Sequence, residues 1–243
     1  MRSPLFLPTL LLALSACSHQ APDAVTVGIL HPGSTMKIVA SQASVNVYKP
    51  AAGDPPGRFT VAVYGAPGAP PPPSPTITKA GNGILVGVPG AVASLLIRVP
   101  EGVNVAVELT RGNVTVYDIS GSTDVRVGTG DVRISTGSPA RIVTQNGTID
   151  ATLTQTAWNG TSSFFAGQGD VNVSVSTVAR FHARLHTDGG STFTDFDLRG
   201  TSSGASETID GLVNGGAPPG APAGVDIETH RGSVRLLKLA PQG

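Results

Sequence analysis

The chain has 243 residues, with 16 Lys and Arg balanced by 16 Asp and Glu, so it is formally neutral and carries no basic run. That balance speaks against nucleic acid as a partner, because counterion release from phosphates needs clustered Lys and Arg. Charged residues are only 13% of the sequence, while 31 Gly and 20 Pro interrupt it, which describes a turn-rich, helix-poor protein stabilised by an apolar core.

Residues 1–16 read as an export signal. Arg2 precedes an apolar run from Leu5 to Leu14, interrupted by Pro8, too short to span a bilayer and suited to the h-region of a signal peptide. It ends in Leu14-Ser15-Ala16-Cys17. This stretch resembles the lipobox of bacterial lipoproteins, which implies that Cys17 is acylated, with palmitate among its chains, and becomes the first mature residue. Cys17 is also the only cysteine, so it has no disulfide partner within the chain. Two or more acyl chains anchor durably where one binds only marginally, which makes the membrane the first expected partner. In lipoproteins of this arrangement an Asp after the cysteine favours retention at the inner membrane; Ser18 stands there instead and leans toward the outer membrane.

Residues 17–23 form a short polar tether, and 24–100 read as amino-terminal strands. Val-rich runs at Ala24–Leu30, Lys37–Tyr48 and Arg58–Tyr64 are bounded by Gly, Pro or Asp, as strands are. The run "GAPGAPPPPSP", 65–75, cannot donate to a sheet and predicts an exposed, stiff connector. Strand character resumes in "GNGILVGVPG" and "SLLIRVPEG" and ends at Pro100.

From residue 101 to 243 the chain repeats a unit of Gly, any residue, then a β-branched or aromatic residue alternating with polar ones. Gly112, Gly130, Gly147, Gly169, Gly190 and Gly232 start these units, at intervals of 18, 17, 22, 21 and 42 residues. The last interval equals two periods of 21, with Gly211 expected at the missing step. Period-two apolar positions such as Val114/Val116 and Val171/Val173/Val175 give each unit an inward face that it cannot bury alone, so the units are expected to stack. A glycine at each corner lets the backbone turn where a Cβ would clash.

The stretches "LLIRVPEGVNVAVELTRGNVTVYDISGSTDVRVGTGDVRIS" and "VNGGAPPGAPAGVDIETHRGSVRLLKL" resemble the bacterial putative adhesin family of β-strand-repeat proteins, head-GIN-like domains of unknown function. That family shows a "vP-x-G-V-x-V" entry, repeated "s-G-D/N-V/I-x-V/I" coils and an "NGG…T-x-x-G-x-I/V" finish. The resemblance implies an all-β, right-handed parallel β-helix-like solenoid with amino-terminal capping strands, placed in the cell envelope, and implies no activity. The proline run and the stretch "TAWNGTSSFFAGQ" depart from the family pattern.

Several patterns invite chemistry. "GTSSG", 200–204, has the spacing of a nucleophile elbow, but that motif requires a strand feeding a helix, and its surroundings are a polar loop. His182 and His186 would sit roughly 13 Å apart on a strand, too far to share a metal, and are expected to face outward. Asp195 and Asp197 would lie about 7 Å apart on one strand face, a spacing compatible with glycoside hydrolysis or calcium binding, although solubilising surface acids are commoner. Asp131 and Asp170 follow corner glycines and are expected to bond turn backbone. Asn146 and Asn159 open sequons that read as tight turns. Trp158 with Phe164 or Phe165 could form a contact patch on a protruding loop, but stacking in the core or anchoring that loop is the commoner use.

The sequence therefore predicts an envelope lipoprotein with a non-catalytic structural, adhesive or binding role, without catalytic residues, cofactor or metal. Its expected partners are the membrane through Cys17, and a glycan, an envelope protein or further copies of itself. Candidate contact residues are Trp158, Phe164, Phe165, Asp195 and Asp197. A polysaccharide-active β-helix lyase or hydrolase, or a self-assembling scaffold, is the alternative.

Overall fold

The computed structural model describes residues 21–216 and 223–239. Residues 1–20, with Cys17, the expected signal segment and most of the expected tether, lie outside the described residues. Within them the protein is all-β, with nineteen strands and no helix. The strands are β1 (Ala24–Ile29), β2 (Thr35–Tyr48), β3 (Arg58–Tyr64), β4 (Thr76–Ala80), β5 (Gly83–Arg98), β6 (Asn104–Arg111) and β7 (Val114–Ile119). They continue with β8 (Thr123–Thr129), β9 (Val132–Thr136), β10 (Ala140–Asn146), β11 (Ile149–Leu153), β12 (Gly160–Gln168) and β13 (Val171–Ser176). The carboxyl-terminal strands are β14 (Phe181–Thr187), β15 (Thr192–Thr194), β16 (Gly200–Ser203), β17 (Ser206–Val213), β18 (Ala223–Arg231) and β19 (Val234–Leu239).

Their pairings resolve into two ladders over one core. The first runs β4, β5, β2, β6, β8, β10, β12, β18, β14, β17, β16, and the second β1, β3, β5, β2, β7, β9, β11, β13, β19, β15. Pairing is parallel from β5 through β14 in the first ladder and from β5 through β15 in the second, with antiparallel strands added at the ends. The long strands β2 and β5 pass through both ladders. β2 shifts register between Ala40 and Ser44, where it bends from one ladder into the other. Two consecutive strands, one in each ladder, such as β6 and β7, thus make one rung.

Alternation decides which side chains enter. Val171, Val173 and Val175 are buried in β13 while Asn172, Ser174 and Ser176 face out, and the same pattern holds in β2, β9 and β11. The buried residues of both ladders, from Leu30 to Leu236, form one cluster, so residue 100 is no break in the core. Parallel strands stack roughly 4.8 Å apart, which aligns these side chains into columns. Burying each Val or Leu contributes on the order of 1.5–3 kcal/mol, and no disulfide is available to share that load.

The glycine corners stack as the sequence leads one to expect, with one correction. A Cβ on Gly130 would overlap the carbonyl oxygen of Gly112, one on Gly147 that of Gly130, and one on Gly169 that of Gly147. The column then jumps to Gly232, whose Cβ would meet the Gly169 carbonyl, and only afterwards to Gly190, whose Cβ would meet that of Gly232. Backbone bonds repeat the order: Gly169 N–H donates to Arg231 O at 2.8 Å, and Gly232 N–H to Gly189 O at 3.0 Å. Gly211 is not in the column at all. It lies within β17, antiparallel to β14 and opposite Ala183. The 42-residue interval is therefore a β16–β17 hairpin plus an inversion of order, not two periods.

That inversion occurs at both ends. The last rung in sequence, β18–β19, sits between β12–β13 and β14–β15. Likewise β2, first in sequence of the parallel strands, sits between β5 and the β6–β7 rung. The outermost parallel rung at each end is second from that terminus in sequence, which holds the terminal segment inside the stack. Amino-terminal capping is accordingly done by β1, β3, β4 and β5, whereas β2 is part of the interior.

Polar side chains reinforce the corners. Asn113 Oδ1 accepts the Asp131 N–H at 3.0 Å, Asp131 Oδ1 accepts the Thr148 N–H at 2.8 Å, and Asp170 Oδ1 accepts the Ser233 N–H at 2.7 Å. The residue after each of these three corner glycines thus bonds the next rung rather than its own turn. Three residues before a corner glycine, buried Thr144, Thr187 and Thr229 donate to the carbonyls of Gly130, Gly232 and Gly169. These hydroxyls satisfy carbonyls that the turn would otherwise strand in the core.

Candidate functional site

The predicted contact patch of Trp158 and Phe164 does not form. Trp158 is 9% exposed and Phe164 1%, and both belong to the core. For Phe164 the cause is strand alternation: the second half of the stretch expected to protrude becomes β12, with Ser162, Phe164 and Ala166 inward and Ser163 and Phe165 outward. Trp158 lies against Phe181, with ring centroids 5.4 Å apart, and Phe196 meets the same ring edge-on at 6.1 Å. Lys238 places its Nζ 5.3 Å from the Phe196 centroid. Trp158, Phe164, Phe181 and Phe196 therefore fill the carboxyl-terminal part of the core. The Trp158 indole N–H has no hydrogen-bond partner among the described residues.

Asp195 and Asp197 are exposed, but not on a strand face, because β15 ends at Thr194. The Asp195 backbone N–H donates to Leu236 O at 3.1 Å, and its carboxylate accepts the Lys238 backbone N–H at 2.9 Å. This acid continues the β15–β19 pairing past the strand's end, which is a structural task. The "GTSSG" stretch is β16 and its turn to β17, with Ser203 opposite Ser206 and no helix following, so the elbow geometry is missing. Asn146 ends β10 and Asn159 precedes the positive-φ turn at Gly160.

His182 and His186 face outward on β14, as their alternation predicts. The structure adds their surroundings. His182 Nε2 lies 2.9 Å from Asp210 Oδ1, and His186 contacts Thr208 Oγ1 through Nδ1 and Asp188 Oδ1 through Nε2, at 2.9 and 3.1 Å. Because β18 lies beside β14, Glu228 stands opposite His186 and Asp226 opposite Arg184. His230 follows on β18, 3.7 Å from Glu228 and 3.9 Å from Asp188. On the other flank Phe165, half-buried, packs edge-on against the His230 ring at 5.0 Å. One outward face of the first ladder thus combines an aromatic edge, histidines, carboxylates and Arg184 across β12, β18, β14 and β17.

This face is not assembled by reading the sequence, although its rows are visible there as the outward positions of "FHARLHT" and "DIETHRG". What hides it is the order of rungs, which sets residue 228 beside residue 186. Among the described residues no group of three or more His, Cys, Asp or Glu has a geometry that would hold a metal ion. The pairs can instead offer donors and acceptors to a polar ligand lying along the face, with Phe165 as an apolar platform. A separate recess of about 750 Å³ opens beside β1, lined in part by Leu30, Pro32, Pro55 and Pro100. Of its charged lining residues, Lys49 and Asp54 are engaged, with Asp118 and the Ala51 N–H, and Glu101 makes no ion pair among the described residues.

Comparison with solved structures finds the same fold elsewhere. A putative cell adhesion protein from Clostridium sporogenes superposes with a TM-score of 0.55 over 89% of this chain and 99% of its own, at 10% sequence identity. A putative adhesin from Bacteroides fragilis aligns over 89% and 96% of the two chains with a TM-score of 0.34 and 8% identity. No family profile matches the sequence, and no curated protein matches it either.

Proposed function

We propose that this protein is an envelope lipoprotein, anchored through acylated Cys17, whose body is a right-handed parallel β-helix with a non-catalytic adhesive or binding role. The observation that carries the reading is the fold: a stack of parallel rungs with the architecture of the Clostridium sporogenes putative cell adhesion protein over nearly the full length of both chains. Such a stack is stiff because every interior strand is hydrogen-bonded on both sides, and it presents flat, ordered faces on which ligands can be held at fixed spacing. The face built from Phe165, Arg184, His186 and His230 has the mixed aromatic and hydrogen-bonding chemistry of a glycan or protein contact.

The enzyme alternative loses its main support, since Asp195 is committed to the backbone of β19. Self-assembly is opposed at three of the four terminal strands: β15 and β16 have three and four residues, and β4 carries exposed Lys79, features that discourage strand addition and that β1 lacks. The test has two parts. Mass spectrometry of the mature amino terminus should find acyl groups on Cys17, and Cys17→Ser should release the protein from membranes. Immobilised protein should then retain a ligand from a panel of cell-surface polysaccharides and envelope proteins, with retention lost in Phe165→Ala combined with Arg184→Ala. An unmodified Cys17, or polysaccharide turnover in place of retention, overturns the reading.

A further inference from the structure

The amino-terminal end of the second ladder has a face unlike the others. Among the described residues strand β1 pairs only with β3, and its alternate residues Val25, Val27 and Ile29 point out of the sheet with 54%, 50% and 69% of their surface exposed. Inward positions on β1 are Ala24, Thr26 and Gly28, with Phe59 of β3 packed where a Gly28 side chain would be. The apolar stripe is therefore not a core strand turned the wrong way; the core side of β1 is already filled. Across the sheet from Val25 lie buried Ala62 of β3 and then half-buried Leu96 of β5, so the row stays apolar. Tyr48 and the exposed Tyr117 stack beyond it, with ring centroids 5.9 Å apart.

The charged side chains on the strands of this face are arginines. Outward positions of β1, β3, the carboxyl half of β5 and the carboxyl half of β2 include Arg58 and Arg98 and no Asp or Glu. Neither arginine is in an ion pair among the described residues. The nearest acids are already engaged: Asp23, just ahead of β1, accepts the Gly65 N–H at 2.6 Å, and Asp118 of β7 pairs with Lys49 at 2.9 Å. Exposed aliphatics rimmed by Arg and Tyr are the composition of a surface that rests in the headgroup region of a bilayer.

Position along the chain supplies the occupant. Ala24 is seven residues from Cys17, and seven residues fully extended reach at most about 25 Å. If Cys17 carries the lipid, β1 is the strand held nearest the membrane. We propose that the outward face of β1, β3 and β5 docks on the phospholipid surface, with Val25, Val27 and Ile29 at the acyl boundary and Arg58 and Arg98 on lipid phosphates. This rests on the lipoprotein reading above and deepens it: the lipid is not a loose leash but one of two contacts that fix the orientation of the stack. A second copy adding to the free edge of β1 would pair its backbone yet leave these side chains uncovered, because they point out of the sheet rather than along it.

The test uses the mature lipidated protein in vesicles of phosphatidylethanolamine and phosphatidylglycerol, with a nitroxide attached to Val27→Cys or, as the distant control, to Leu212→Cys. Both positions are exposed, so neither substitution threatens the fold. Docking predicts that the ratio of oxygen to nickel-chelate collisions is several-fold higher at 27 than at 212. Equal, water-like ratios at both positions in a membrane-bound, acylated protein overturn the docking and leave the anchor standing. Spin–spin broadening at 27 that disappears on dilution with unlabelled protein assigns the face to a second copy and also overturns it. Nitroxide uptake by the unsubstituted chain shows a free Cys17, and then the anchor and the docking fall together.

Discussion

Substituting Gly130 by Ala tests the corner column. Gly130 has φ of 145°, and its added Cβ would overlap the Gly112 carbonyl, which is backbone and cannot rotate away. A non-bonded carbon and oxygen need about 3.3 Å, so the rungs must part locally by more than about 1 Å. Three bonds cross that point: Gly112 N–H to Thr129 O at 2.8 Å, Val114 N–H to Asp131 O at 2.9 Å, and Asp131 N–H to Asn113 Oδ1 at 3.0 Å. Weakening all three, at about 1 kcal/mol each, costs about 3 kcal/mol. Left-handed backbone at an alanine adds about 1 kcal/mol or more, for a total of about 4 kcal/mol. Gly33 is the control, with φ of 82° and nothing within 4 Å of the place a Cβ would take, so Gly33→Ala should cost only the backbone part, about 1 kcal/mol. Urea unfolding followed by circular dichroism and by the fluorescence of Trp158, the only tryptophan, measures both. Equal midpoints for the two variants would refute the close-stacking argument.

Other expectations follow from the same packing. Thr229→Val keeps the shape but removes the donor to Gly169 O, and denaturant midpoints should show a loss of about 1 kcal/mol. Asp131→Ala, losing one exposed bond to the Thr148 N–H, should cost about 1 kcal/mol or less by the same measurement. Leu236→Ala empties a fully buried site in the inserted β18–β19 rung and should cost about 2–5 kcal/mol, with faster proteolysis on both sides of the rung. Trp158→Ala should cost about 3–5 kcal/mol, whereas Trp158→Phe retains a ring against Phe181 and removes the unpartnered N–H, so its circular dichroism midpoint should move far less.

The sequence carries the local physics of this fold and not its order. Alternation in "VNVSVS" and its counterparts shows which residues point inward, and the glycine spacing marks all six corners and the order of the first four, Gly112 to Gly169. The placement of Gly232 before Gly190 cannot be read off, because backbone hydrogen bonds between rungs are indifferent to sequence and the inward Val and Leu side chains of β13 and β19 fit either neighbour. Period counting then favours Gly211, whose spacing fits but which pairs in an antiparallel hairpin. The His and Glu face stays hidden for the same reason. Trp158 and Phe164 are ambiguous only if "TAWNGTSSFFAGQ" protrudes; once its second half is a strand, alternation places Phe164 inside and Phe165 outside. The threonines three residues before Gly147, Gly190 and Gly232 are legible in principle, since a polar residue recurring at an inward position signals a buried carbonyl to satisfy.

The order of rungs is the claim on which the carboxyl-terminal face depends, and short thiol cross-linking tests it. Outward residues Asn172, Arg235 and Phe193 lie on successive strands β13, β19 and β15, so neighbours are roughly 4.8 Å apart and the outer two about twice that. With Cys17 acylated or replaced by Ser, a reagent spanning about 5 Å should join Asn172→Cys to Arg235→Cys, and Arg235→Cys to Phe193→Cys, but not Asn172→Cys to Phe193→Cys. Efficient joining of 172 to 193 with none between 172 and 235 would mean that the rungs stack in sequence order, and would contradict the account.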